Sequence, residues 1–283
     1  EQLFRSHIAG PLLPGTEHVA PFACYRCPYG HQDIDGQADL ERCKLACANM
    51  VRYVLEREGD VAAVIAEPMR AVPYVPPPGF WKAVRQACND HGALLIFDEI
   101  PTGLGKTGKF FAFEHDDVVP DIVVLGKPIG NGHPLGVLVT TRAIADSFAK
   151  GPEFFSTFGG STLSCRTGKE VLDIVDEEGL QKNAQSQGKT LIQGLRTLQK
   201  RHPAIGDVRG MGLFVGVELI NLDGSEATAI CIYIKNRMRD HRILIGSEGP
   251  KDNILKIRPP LTIDHHDVEM ILEALGQVLA ELG

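Results

Sequence analysis

The chain has 283 residues, 43% of them hydrophobic and 23% charged, with 29 Lys+Arg against 36 Asp+Glu and a formal net charge of −7. This is an ordinary globular composition, and no Lys/Arg-rich run marks a nucleic-acid or anionic-membrane partner. No apolar stretch reaches the roughly 18–20 residues of a membrane span, and the opening EQLFRSHIAG lacks the basic start and apolar core of a signal peptide.

Residues 1–36 are rich in Pro, Gly and aromatics and read as extended loop. The start without an initiator Met suits a piece of a longer protein. Seven cysteines, an odd number, fit a reducing cytoplasm better than a secreted scaffold. Cys24-x2-Cys27 and Cys43-x3-Cys47 lie close to a zinc spacing, and the second pair would face one side of a helix. The expectation taken here is reduced thiols near a loop, with no metal. Cys88, Cys165 and Cys231 are isolated and read as core residues.

Residues 38–57 read as one helix, with Leu40, Leu45, Ala48, Val51 and Leu55 near helical spacing. An alternation then follows. VAAVIA (61–66) ends at Glu67, and GFWKAVRQACNDHG (79–92) is a helix closed by Gly92. ALLIF (93–97) ends at Asp98 and Glu99, DIVVLG (121–126) ends at Lys127, and GVLVTT (136–141) is one more apolar run. Apolar strands separated by helices predict an α/β fold, a mostly parallel sheet with helices on both faces. After about residue 180 the pattern changes. A long polar helix (180–200) precedes short strands at 208–220, 243–246 and 254–257, with helices at about 226–240 and 266–282. The expected division is a large domain over 1–180 and a smaller α+β domain over 181–283.

Ligands of open parallel sheets bind beyond the carboxyl ends of the strands. Glu67, Asp98 and Lys127 each follow such a strand and share that edge. A charge directly after an apolar run is partly desolvated, so it needs a partner or a task. A lysine beside a carboxylate suits pyridoxal 5'-phosphate (PLP). The amine holds the cofactor and shuttles a proton, while the carboxylate keeps the pyridine nitrogen protonated. The run Gly126-Lys127-Pro128-Ile129-Gly130-Asn131-Gly132 allows close backbone approach to a ligand. Spacing alone equally allows a structural ion pair between Lys127 and Asp98.

At these residues the sequence resembles a known family. AAVIAEP (62–68), LLIFDEIPTGLGKTGKFFAFEH (94–115), PDIVVLGKPIGNGHPLG (120–136), FFSTFGGSTLSC (154–165) and GDVRGMGLFVGVELI (206–220) are similar to class III (subgroup II) PLP-dependent aminotransferases of fold type I. The block from Gly126 to Pro134, with GDVRGMGLF and ILKIRPP (254–260), is nearest to the ethanolamine-phosphate and phosphohydroxylysine phospho-lyases. The resemblance implies that Lys127 is the Schiff-base lysine, Asp98 the partner of the pyridine nitrogen and Ile100 a residue packed against the ring. It implies that Thr157 bonds the cofactor phosphate of a neighbouring subunit, hence a homodimer or larger. Glu67 matches a glutamate that pairs with the substrate-binding arginine. The implied substrates are an amine or amino acid and a keto acid.

The departures bear on the substrate. Pro101 stands where the family has a glutamine on the cofactor's phenolic oxygen. Lys256 stands where aminotransferases clamp a carboxylate with arginine, and Arg258, two residues on, shares its face on a strand. Lysine is a point charge rather than a bidentate fork, so a phosphorylated amine is an alternative substrate. The family's phosphate cup, Ser-Gly-Ser-Glu-Ala, and its stacking aromatic are absent from residues 1–60, so the chain resembles the C-terminal two-thirds of the family. GSEAT (224–228) resembles the cup but reads as the start of a helix. Three functions stay open: an aminotransferase, a phospho-lyase, or a catalytically inactive truncated subunit.

LLIFDE (94–99) and GLGKTG (103–108) also resemble a Walker B strand and the end of a P-loop. Ile100 stands where the first glycine should be and the order is reversed, so an NTPase is set aside. His133 reads as a loop hydrogen-bonder, Trp81 as packing, and Arg209 as either near the site or structural between the domains.

Overall fold

The computed structural model describes residues 14–31 and 39–282. The helix expected over 38–57 is two helices, α1 (Leu40–Cys43) and α2 (Ala46–Glu58). Lys44 and Leu45 separate them with left-handed φ of 45° and 55°. The apolar stripe of α2 holds as expected, with Ala48, Val51 and Leu55 buried.

The first sheet joins β1 (Ala63–Ala66), β2 (Leu94–Asp98), β3 (Ile122–Leu125) and β4 (Val137–Thr140) in that order. The first two pairings are parallel and β3–β4 is antiparallel. The β3–β4 link, residues 126–136, is shorter than the dozen or more residues a parallel crossover needs. Helix α3 (Phe80–His91) carries the chain from β1 to β2 and packs with α2 over one sheet face. Trp81 is the centre of that layer, its ring 4.6 Å from Phe97 at 80°. On the opposite face Ile65 and Leu138 are 68% and 60% exposed. Two further helices carry no signal in the sequence reading, α4 (Arg142–Phe148) and α5 (Thr162–Glu177). Cys165, expected in the core, lies exposed on α5, whereas Cys88 and Cys231 are buried.

Helix α6 (Leu180–Gln199) leads into β5 (Ile205–Met211), β6 (Phe214–Leu219), α7 (Thr228–Asp240), β7 (Gly246–Glu248), β8 (Ile254–Ile257) and α8 (His265–Ala280), whose four strands form a second sheet. Its strand order is β5-β6-β8-β7, antiparallel throughout. The segment 208–220, expected as one strand, is a hairpin that turns at Gly212. A Cβ there would stand 2.5 Å from the Thr107 carbonyl carbon, so only glycine fits this close approach. The strand expected at 243–246 begins only at Gly246, because Arg242 turns the chain with φ 63°. Leu191, Leu195, Cys231, Ile234, Val268 and Leu275 close the core of this part. GSEAT ends in the first residue of α7, as its reading as a helix start required.

Candidate functional site

Each charged residue of the expected edge is placed by the strand before it. β1 ends one residue before Glu67, β2 ends on Asp98, and β3 ends two residues before Lys127. Parallel registry puts Ala66 beside Phe97 and Asp98 beside Val124, so the three chains finish on the same edge. Gly126 lets β2 and β3 close there. A Cβ at this position would come 3.3 Å from Ile100 Cγ1. Lys127 opens a 3-10 turn, Lys127–Gly130, with an exposed side chain and a left-handed φ of 43°. A non-glycine residue held in that region is strained, and such strain clusters at functional sites.

The edge is electrostatically coupled. Burial raises the Glu67 carboxyl above its ordinary range, the Ala71 N–H and Lys127 oppose that rise, and the charge on Asp98 adds to it. Glu67 Oε2 accepts from Ala71 N at 2.6 Å. Asp98 Oδ1 accepts from Ile100 N at 2.9 Å, which orients the carboxylate. Trp81 donates from Nε1 to Pro68 O at 2.9 Å, so this packing residue also pins the backbone beside Glu67.

Arg258 arrives from the second sheet. Its Nη2 donates to Ala71 O, and its guanidinium lies 4.0 Å from the Phe214 ring centroid. Burial lowers its basicity, and Glu248 and Glu67 pull in the opposite direction. Glu67 and Arg258 thus hold the two faces of one peptide residue, Ala71. Arg258 Nε is buried and has no hydrogen-bond partner among the described residues. Lys256 pairs with Glu248 across β7 and β8.

Lys106 escaped the sequence reading. Its amine donates to Pro259 O at 2.5 Å and is pulled down to about 8, by burial first and then by Arg258. Its signal is present in GLGKTG, a lysine inside a glycine-rich loop, a stretch that both the family resemblance and the nucleotide motif span without giving this lysine a role. Arg209 has the structural role. It bonds Pro73 O at 2.7 Å, pairs with Asp207 at 2.6 Å and Glu218 at 2.9 Å, and lies 4.4 Å from the Tyr74 ring centroid. His133 makes the expected loop bond, to Ser164 Oγ at 2.8 Å. Thr157 is not brought to this edge by contacts among the described residues. It sits in an exposed loop with Phe154, Phe155 and Phe158, which are 72%, 81% and 86% exposed.

An amine, two carboxylates and an arginine at the carboxyl edge of a sheet can bind an anionic amine substrate and move a proton on it. Comparison with known proteins points the same way. The family model for aminotransferase class-III matches residues 14–279. The chain is 36% identical over 290 residues to an alanine–glyoxylate aminotransferase 2-like protein of Drosophila melanogaster, covering 96% of this chain and 58% of that protein. It is 37% identical over 240 residues to an ethanolamine-phosphate phospho-lyase homolog of Caenorhabditis elegans, covering 82% and 51%. Among solved structures, an amine transaminase from an uncultivated Pseudomonas species in the PLP-bound form matches with a TM-score of 0.87 and 30% identity, over 98% of this chain and 64% of that one. The chain therefore spans between half and two thirds of the length of these relatives. No helix among the described residues is long and apolar enough to cross a membrane.

Proposed function

The chain belongs to the class-III aminotransferases, and on that premise we propose that it carries the catalytic lysine, Lys127, of a PLP-dependent enzyme that moves an amino group from an amine or amino acid to a keto acid. The observation that supports this most is the coupled edge of Glu67, Asp98 and Lys127, with Lys127 held in strained backbone. The donor set fits the cofactor, since an exposed amine and an oriented carboxylate stand on adjacent strand ends. Lys127 would hold PLP through its amine, Asp98 would face the pyridine nitrogen, and Ile100 would pack against the ring. When bound, PLP supplies an electron sink for charge leaving the substrate α-carbon.

This chain's own residues supply the remainder. The Lys127 amine takes the α-proton and returns it, working at the mouth of the sheet. Asp98, oriented by the Ile100 N–H, holds a fixed negative charge beneath the site. Arg258 offers its Nε, buried and without a partner among the described residues, to an anionic group of the substrate, with Lys256 alongside on the same face. Glu67 balances Arg258 when that group is absent, through their shared hold on Ala71.

A second reading, a phospho-lyase acting on a phosphorylated amine, is favoured by one observation. The cationic pair is a lysine with an arginine, which suits a phosphate as well as a carboxylate. Removal of the same proton would then let phosphate leave the β-carbon. We also propose a cytoplasmic homodimer in which Thr157 reaches the cofactor phosphate of the neighbouring subunit. The exposed phenylalanines beside Thr157 support that interface. The division near residue 180 is proposed as the domain boundary, supported by one core drawn wholly from residues 184–279 and a second that takes only Ile254 from beyond residue 180.

The test uses the full-length protein reconstituted with PLP. A visible cofactor band that Lys127→Ala abolishes supports the enzyme, and no band in the unaltered protein leaves a non-catalytic subunit. Phosphate release from phosphoethanolamine without any keto acid identifies the lyase. Amino transfer that requires the keto acid identifies the transaminase.

A further inference from the structure

We propose that Lys106 is a positioning residue for Arg258: it fixes the segment that carries the guanidinium, and so sets the affinity of the site for an anionic group of the substrate. The inference rests on the reading of Arg258 as the group that receives that anion.

Lys106 sits in the glycine-rich loop 103–108, which is seated firmly on α6. A Cβ at Gly105 would stand 3.3 Å from Gln181 Cα, and one at Gly108 would stand 3.1 Å from Gln185 Cβ. Between these glycines Thr107 is buried, its hydroxyl 3.1 Å from His115 Nε2. The backbone from which the lysine extends is therefore held on two sides.

From this loop Lys106 reaches the second sheet twice. Its carbonyl accepts from Leu213 N at 3.0 Å, at the turn between β5 and β6. The next residue, Phe214, supplies the ring that lies 4.0 Å from the Arg258 guanidinium. Its amine donates to Pro259 O at 2.5 Å, on the residue that follows Arg258. One residue thus ties both the ring against the guanidinium and the backbone behind it. The backbone needs such a tie. β8 ends at Ile257, and Pro259 and Pro260 have no N–H to donate, so carbonyls and side chains must hold the segment.

Orientation matters here because a guanidinium is a planar fork with donors in fixed directions. Nη2 of Arg258 is engaged by Ala71 O, while Nε has no partner among the described residues. The direction of Nε follows from the plane of the group, which Ala71 O, the Phe214 ring and the backbone at 258–259 set together. Charge points the same way. Burial first, and then the charge of Arg258, lowers the basicity of the Lys106 amine. A neutral donor would hold Pro259 O without that repulsion, and an anion received at Arg258 would relieve it.

The experiment uses the full-length protein reconstituted with PLP, and compares Lys106→Met, Lys106→Arg and Arg258→Met with the unaltered chain. Calorimetric titration with ethylphosphonate and with propionate, anions that carry no amine, reads the site without turnover. Arg258→Met and Lys106→Met should each weaken the tighter of the two anions about tenfold, and Lys106→Arg should restore it. In steady-state rates Lys106→Met should raise KM about tenfold for β-alanine or phosphoethanolamine with kcat little changed, and leave KM for propylamine where it was. Normal anion affinity in Lys106→Met beside a loss in Arg258→Met overturns the proposal. Equal losses on propylamine and on the charged amines also overturn it, since they mark a clasp that is only structural. Anion affinity untouched by Arg258→Met sinks the reading of Arg258 and this proposal with it. The expected calorimetry in a protein that transfers no amino group upholds the proposal and counts against the enzyme reading alone. If Lys106→Met does not fold, Lys106→Gln, shorter and uncharged, carries the same expectations.

Discussion

Glu99, next to Asp98, lies fully buried under the loop that leads away from the site. Burial pushes its carboxyl up to about 7 from 4.5, against the opposing hydrogen bonds from Thr102 and from the backbone at Phe113 and Ala112. Between those two values the folded chain holds more protons than the unfolded one, so stability falls as pH rises. The stabilisation is full below pH 4.5 and is lost once pH passes about 7. At about 1.4 kcal/mol per pH unit, the displacement is worth on the order of 3 kcal/mol. Glu99→Gln removes the titration while keeping one oxygen acceptor. Urea unfolding of both proteins at acid and at mildly alkaline pH should show their stability difference changing by about that amount, with the variant gaining on the native chain as pH rises. Thr102→Val deletes the donor bonded to Glu99 Oε2 at 2.5 Å, so it should move the transition to higher pH. Parallel pH profiles for Glu99→Gln and the native chain would refute the reasoning.

Three further outcomes follow from the packing. Arg209→Met leaves the buried Glu218 with Arg26 as its one cationic partner among the described residues, and should cost about 3 kcal/mol in chemical denaturation. A loss under about 1 kcal/mol would show the pair to be dispensable. Gly188→Ala should destabilise, although alanine is the better helix former by about 1 kcal/mol, because its Cβ would meet Gly212 O at 2.1 Å. A rise in melting temperature would contradict that close approach. Trp81→Phe keeps the aromatic packing but strands the buried Pro68 carbonyl, and calorimetry should register a loss of about 1–3 kcal/mol.

The elements of the first sheet were legible because continuous apolar runs have few other uses. The charges that follow them were legible because nothing apolar could explain them. Thus Glu67, Asp98 and Lys127 stand out from sequence alone. The break at Lys44–Leu45 was not legible, since both residues favour helix and only tertiary contact, such as Leu45 Cδ1 standing 3.6 Å from where a Gly79 Cβ would be, holds them otherwise. The hairpin at Gly212 was hidden because its turn is dictated by Thr107, far away in sequence.

Local pattern was enough to show which charges end the strands, because alternation and the charge that breaks an apolar run are properties of neighbouring residues. Their partners come from far along the chain. Arg258 finds Ala71 across 187 residues, and Lys106 finds Pro259 across 153. Two pairs of cysteines meet around one pocket. Such pairings depend on how the two sheets pack and on which charges burial forces together, and no local pattern encodes that.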